Sequence, residues 1–403
     1  TTVDAVGVLI LDPIDAVSLR SPAGTRPVLT RMAEEGLIGT IIPNGAVSMD
    51  DALLEICTGK NPRKLHTGVM RIDRETYAVS YRDIHDLDLM VLREIVQNAR
   101  RPVRVVAIHP DGSRDERMLP PESSSAELTL VRIMDDGSDP GAYLDRIETH
   151  LATLASDVST WMIVCPMTRI PVTGSWNVNQ WLETNHYLAR TEDGGVDMTR
   201  TRVFYAGENE PGLRINRELT YARGIVPRID YEGLRKTVAT ELRSVSVPGT
   251  GNTSPGNEAG LAMFTKLFAG EQIYINRTEG RFPDIVWEQS DPSVAVVTEL
   301  QTVPPTRLIP GGWMLLYGSP FDHALQDTTR LDDLLAADVT PTVLYLLRLP
   351  VARDMDGRVL RPLMEATQHR SVPVIIDSYT VSDTLVDQGV MESSTEGNGT
   401  TRQ

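Results

Sequence analysis

The sequence predicts an α/β protein built on a doubly wound, mostly parallel sheet flanked by helices, and three observations predict it. The chain opens on a continuous apolar run, Ala5 to Asp12 (AVGVLILD), of the kind that forms a central strand covered on both faces. Strand-like and helix-like stretches then alternate as far as Cys165, the pattern of βαβ units. At 403 residues and 41% hydrophobic content the chain can bury a large core.

Each element follows from its residues. Arg26 to Glu35 reads as a helix ending at Gly36, in the favoured C-terminal capping position. Next come a strand, IGTIIP, and a helix, SMDDALLEICTG, capped by Ser48; the following KNPRKLHTG is rich in turn formers. Leu87 to Ala99 is a helix, VRVVAI and ELTLVRIM are strands, GAYLDRIETHLATLA is a helix, and STWMIVC is a strand. That strand is expected to stop at Cys165-Pro166-Met167-Thr168-Arg169, where a parallel-sheet enzyme places its chemistry. From Trp176 the pattern is less regular, with a helix near Tyr231 to Leu242 and a surface loop from Ser246 to Gly260. PDIVWEQ, GGWMLLYGS and the helix TPTVLYLLRL complete the series. The expectation is a single domain over residues 1–390 with a less regular insert at about 176–290, followed by a polar, flexible tail at 391–403. The tail and the loop are the expected contacts for a protein partner.

Composition narrows the function classes. With 55 acidic against 39 basic side chains, a net charge of -16, the chain should repel nucleic acid and anionic membrane. Cys57 and Cys165 are its only cysteines, too few for a disulfide framework or a cysteine zinc site. No segment approaches the ~20 apolar residues of a spanning helix, and no basic stretch precedes the opening apolar run, so a cytoplasmic protein is expected. His85, His109, His150, His186 and His369 form no His-x-x-x-His pair, and there is no Gly-x-Gly-x-x-Gly, Walker or Gly-x-Ser-x-Gly pattern.

Six stretches, in order, carry a resemblance: Val8 to Ala16, Cys57 to Gly68, Val172 to Ala189, Gly212 to Pro227, Phe282 to Glu288 and Thr340 to Leu360. Together they resemble the type I phosphodiesterase and nucleotide pyrophosphatase branch of the alkaline phosphatase superfamily. The last is the most specific, through Pro341-Thr342 and Asp354-Met355-Asp356-Gly357. The resemblance implies an alkaline phosphatase-like fold with two divalent metals, commonly zinc, held by Asp and His, and a Ser or Thr nucleophile. Such metals lower the pKa of the nucleophile and neutralise charge on the phosphoryl oxygens.

Mapped residue by residue, most of that centre is missing. The first ligand is kept as Asp12. The nucleophile position falls on Met49, whose thioether cannot replace an activated hydroxyl; Ser48 is one residue away, ~100° round a helix, and suits the N-cap better. The Asp-His pair falls on Pro166 and Met167, and the last His on Leu308, beside Arg307; His323 lies beyond the strand and out of register. The Asp-x-x-x-His of the second metal falls on Asp135 and Asp139. Asp15 is expected to serve a turn. Cys57 and Cys165 are expected near the same site as small buried hydrophobes. His66, with Lys60 and Lys64, reads as a solvated turn, with a phosphate contact as the alternative.

The chain therefore reads as a degenerate member without the bimetal centre, holding no cofactor and acting as a noncatalytic structural or regulatory subunit of a protein assembly, with an active relative as one candidate partner. One alternative is a zinc- or manganese-dependent phosphodiesterase or phosphatase with a site remodelled around Asp12, Ser48, Asp135 and Asp139. The other is a metal-free anion or nucleotide sensor using Arg169 or Arg307.

Overall fold

The opening apolar run forms the strand Val6–Leu11, and all six of its residues are buried. Successive side chains point to opposite faces. Val6, Val8 and Ile10 enter one hydrophobic core, with Leu53 and Ile56 of the helix Met49–Thr58, Leu92 and Ile95 of the helix Met90–Asn98, and Val343 and Leu344 of the helix Val339–Leu346. Leu9 and Leu11 enter a second core, with Leu29 and Met32 of the helix Pro27–Glu35 and Tyr143, Ile147 and Leu151 of the helix Pro140–Leu154. Helices on both faces are what a doubly wound sheet requires. The structure is a computed structural model and describes residues 5–19, 26–65, 70–81, 90–135, 137, 139–207, 210–248, 260–274, 282–299, 303–325, 331–366 and 372–379. The expected tail at 391–403 and most of the loop from 246 to 260 lie outside the described residues.

The main sheet has seven strands, in the order Leu37–Ile41, Thr306–Tyr317, Thr160–Pro171, Val6–Leu11, Leu128–Ile133, Val103–Ile108 and Arg114–Leu119. The central strand pairs in parallel with Leu128–Ile133 and Thr160–Pro171, and Val103–Ile108 continues the parallel ladder. Thr306–Tyr317 runs antiparallel between its two neighbours, and Arg114–Leu119 is antiparallel at the far edge. That edge strand, sequence RDERML, is largely exposed. It has no apolar alternation to announce it, and its charges protect an open sheet edge.

Residues 176–290 are more regular than expected. They hold a four-stranded antiparallel sheet in the order Val203–Phe204, Gly212–Ile215, Ile285–Gln289, Phe264–Ala269. Its core gathers Trp176, Leu182, Val203, Leu213, Val238 and Trp287, with the rings of Phe264 and Trp287 stacked at 5.1 Å. Val203–Phe204 and Gly212–Ile215, of two and four residues, are too short to carry a readable period, so only the folded chain reveals them.

Two local expectations need correction. Gly36 ends its helix in an extended conformation, φ -88° and ψ 169°, instead of the left-handed cap. Glycine is required there by close approach, because a Cβ would lie 2.5 Å from the carbonyl oxygen of Met32. The strand expected to stop at Cys165 instead runs on through Pro166 and Met167 to Pro171. Its parallel neighbour ends with the pair Ile10 and Val164, so on that side a proline interrupts no ladder. On the other side the antiparallel partner shifts register between Pro310 and Trp313, opposite Met167 and Cys165, and a bulge of this kind accommodates the irregular strand.

That bulge depends on Gly312, where a Cβ would lie 2.0 Å from the carbonyl oxygen of Cys165 and 3.1 Å from the amide of Met167. Gly312→Ala should therefore destabilise the fold by about 1–3 kcal/mol, read as a lowered urea midpoint, with an unchanged value sinking the explanation.

Candidate functional site

The ends of the central strands are where a parallel α/β sheet usually presents chemistry. Asp12 lies just beyond the first strand, and its main-chain amide donates to the Tyr143 hydroxyl at 2.8 Å. Its carboxylate is fully engaged. Oδ1 accepts from Arg132 Nη2 at 2.6 Å, and Oδ2 accepts from the main-chain amide of Asp135 at 2.8 Å. The ion pair is secluded, with side-chain exposures of 8% for Arg132 and 15% for Asp12. Sequence reasoning passed over Arg132. The signal was present, since Arg132 is the one charged residue within the otherwise buried strand LTLVRI, and a buried charge requires a partner.

Three of the positions the resemblance assigns to the nucleophile and ligands converge. Met49 begins the helix Met49–Thr58, Met167 sits in the extension of the strand Thr160–Pro171, and Leu308 lies on Thr306–Tyr317. The three pack together with Ala46 and Ala52, and Met167 is only 1% exposed. Pro166 is also buried, inside the strand. Side chains at the positions where the resemblance leads one to expect a nucleophile and two ligands thus form one apolar cluster.

The other predicted residues disperse. Asp139 caps the helix Pro140–Leu154, accepting from the Gly141 amide at 2.8 Å, so the second carboxylate assigned to a metal is occupied by a local task. Ser48 is an N-cap as expected, accepting from the Asp51 amide at 3.1 Å, and Asp15 accepts from the Val17 amide in its own turn. Cys57 and Cys165 do not share a site, because they enter the cores on opposite faces of the sheet. Burial pushes the Cys165 thiol up to about 12, which leaves it inert at neutral pH. Arg169 is exposed beside the turn at Gly137. Arg307 Nη1 donates to Gln289 Oε1 at 3.1 Å and to the Val294 carbonyl at 2.7 Å, tying the main sheet to the second. Lys60 pairs with Asp354 and Lys64 with Asp356; His66 lies outside the described residues.

These residues do not fit a zinc or manganese centre. Asp12 is neutralised by a guanidinium, Asp139 is a cap, and Met49, Met167 and Leu308 offer no hard donor. Among the described residues, no group of three or more His, Cys, Asp or Glu side chains is placed to hold a metal ion. What persists is a cavity of ≈ 790 Å³ between the two sheets, bordered by Met49, Arg63, Glu210, Trp287, Arg307 and Leu308. Its volume is that of a small-molecule site.

No protein-family model matches the sequence, and no curated protein matches it. Solved structures do. Murine ectonucleotide pyrophosphatase/phosphodiesterase 5, as an inactive variant in complex with AMP, aligns with a TM-score of 0.55 at 10% identity, covering 90% of this chain and 100% of that one. The human protein of the same name aligns with a TM-score of 0.55 at 11% identity over 90% of this chain and 100% of that one. The fold is that of the ectonucleotide pyrophosphatase/phosphodiesterases. This pyrophosphatase/phosphodiesterase fold is alkaline phosphatase-like, in keeping with the sequence resemblance.

Within this ectonucleotide pyrophosphatase/phosphodiesterase fold, the helix that begins at Met49 carries a second feature the sequence reading missed. Glu55 is 2% exposed, and burial raises its carboxyl from 4.5 to about 7. Its Oε1 accepts from Asn44 Nδ2 at 3.1 Å, and Asn61 Nδ2 donates in turn to Asn44 Oδ1 at 3.3 Å. Buried Asp338 lies nearby and disfavours a second negative charge. The signal was a glutamate within the apolar run ALLEIC.

Two outcomes follow for this helix. Ser48→Ala should cost about 1 kcal/mol of stability by freeing the first-turn amides, measurable by urea unfolding; no loss would remove the cap assignment. Glu55 favours the folded state while protonated, so its contribution is full below pH 4.5, the ordinary value, and is lost as pH rises through about 7. Glu55→Gln should flatten the fall of stability across that window by up to about 3 kcal/mol, and an unaltered pH profile of thermal unfolding would contradict this.

Proposed function

We propose that this chain is a noncatalytic protein of the ectonucleotide pyrophosphatase/phosphodiesterase fold, serving as a structural or regulatory subunit of a protein assembly in the cytoplasm, beside an active relative or another protein. One observation carries the reading: Met49, Met167 and Leu308, at the nucleophile position and two ligand positions, pack into one apolar cluster with Ala46 and Ala52. Displacement at phosphorus needs an activated oxygen nucleophile and positive charge on the phosphoryl oxygens. Thioethers and methyl groups supply neither, and they make the spot costly for a phosphate to enter. Ser48 and Asp139 are engaged as helix caps, which weighs against a remodelled hydrolase that would use them. A fold relieved of turnover retains binding, and the proposal assigns that binding to partner proteins.

The cavity between the sheets favours a second reading, a metal-free anion or nucleotide sensor, since Arg63 and Arg307 stand on its wall. Thermal stabilisation by AMP or another nucleotide would support it, and the absence of any shift across a nucleotide panel would count against it.

The purified chain, supplied with Zn²⁺ or Mn²⁺, should hydrolyse bis(4-nitrophenyl) phosphate and nucleotide phosphodiesters no faster than buffer. Metal-dependent turnover that vanishes in Asp12→Asn would overturn the noncatalytic reading. Cross-linking in the native source, followed by mass spectrometry, should recover one constant partner protein.

A further inference from the structure

We propose that Arg132 is a resident cation, which takes the electrostatic place of a divalent metal at the end of the central strands and keeps that place closed to metal. The inference rests on the noncatalytic reading, but its test measures metal binding and not turnover.

The geometry is that of a carboxylate already saturated. Both oxygens of Asp12 are taken, one by Arg132 Nη2 at 2.6 Å and one by the Asp135 amide at 2.8 Å. The pair is largely withdrawn from water, where opposite charges in contact attract strongly and are little screened by salt. An incoming dication would have to displace a guanidinium that the strand holds in place. Arg132 projects from a strand paired on both sides, opposite Ile10 and Ala107, so its backbone cannot swing away.

The hydrogen bonding around Arg132 is incomplete. Among the described residues, its buried Nε and Nη1 have no hydrogen-bond partner, and neither does the buried Oδ1 of Asp135. Arg132 itself is 6% exposed. A guanidinium offers five donors, and a site shaped around one normally satisfies most of them. The described protein groups thus answer the charge of Arg132 and, through Asp12, only one of its nitrogens. Without Arg132, the Asp12 carboxylate would lose its ion-pair partner while still accepting from the Asp135 amide. A hard divalent cation binds one or two carboxylates and completes its shell with water, so the vacated place would suit Mn²⁺.

The test compares the full chain with Arg132→Met and Arg132→Gln, using Mn²⁺ alone as the probe and reading bound metal by equilibrium dialysis and folding by circular dichroism. The wild-type chain should show no saturable Mn²⁺ binding, whereas either variant should bind Mn²⁺ about tenfold or more tightly than wild type. Asp12→Asn added to the variant should abolish the gain. A variant that folds only when Mn²⁺ is present would show the same gain through linkage. The proposal is overturned if a folded variant binds Mn²⁺ no better than wild type, if wild type binds it equally well, or if neither variant folds even with Mn²⁺. Phosphodiester turnover by the wild type would instead sink the noncatalytic reading and leave the comparison of Mn²⁺ affinities intact.

Discussion

The strand Val6–Leu11 has no exposed residue, so the chain can bury it only by laying helices against both of its faces, and most of the architecture follows from that requirement. Alternating side chains commit Val6, Val8 and Ile10 to one core and Leu9 and Leu11 to the other. The neighbouring strands take their register from it, and the polar residue that follows, Asp12, is delivered to the end of the sheet. Any carboxylate placed there must find positive charge or hydrogen-bond donors, because the surrounding surface is otherwise largely apolar. In a metallohydrolase the ion meets that need. In this chain Arg132 and the Asp135 amide meet it.

On the proposed noncatalytic reading, the same end of the sheet would be a polar centre retired without loss of the fold. Replacing donors one at a time would leave unpaired charges in a dry place, which is expensive. Here the Asp12 carboxylate is paired with Arg132, and Met49, Met167 and Leu308 pack around Ala46 and Ala52. Methionine suits this use, since its unbranched side chain adapts to irregular gaps. The long strand pair Thr160–Pro171 and Thr306–Tyr317 carries two of the three larger side chains, and the pair continues through the register shift near Gly312 past the point where the parallel neighbour of Thr160–Pro171 stops.

The part of the fold legible in the sequence was the part with long apolar periods. VRVVAI appeared as the strand Val103–Ile108, and GAYLDRIETHLATLA as most of the helix Pro140–Leu154. The short strands of the second sheet, such as Val203–Phe204 and Gly212–Ile215, were hidden because so few residues hold no period. For the site the sequence offered only an expectation of losses, from the register that the flanking motifs of the resemblance impose on Pro166 and Met167. Its replacements were less legible. Arg132 and Glu55 stood in apolar runs as visible exceptions, yet their partners, Asp12 and Asn44, are far from them in sequence or on another segment.

By itself the sequence determined the class of fold and the burial of its first strand, because these depend on residue type and local period, and its family resemblance raised the expectation that Met49, Pro166, Met167 and Leu308 stand where a nucleophile and metal ligands would. Only the tertiary structure decided that Met49, Met167 and Leu308 meet in one cluster, that Cys57 and Cys165 lie on opposite faces, and that Asp12 is claimed by Arg132. The physical reason is that packing and charge pairing act between side chains up to 120 or more positions apart, and no local pattern records which distant group will supply the missing atom or the missing charge.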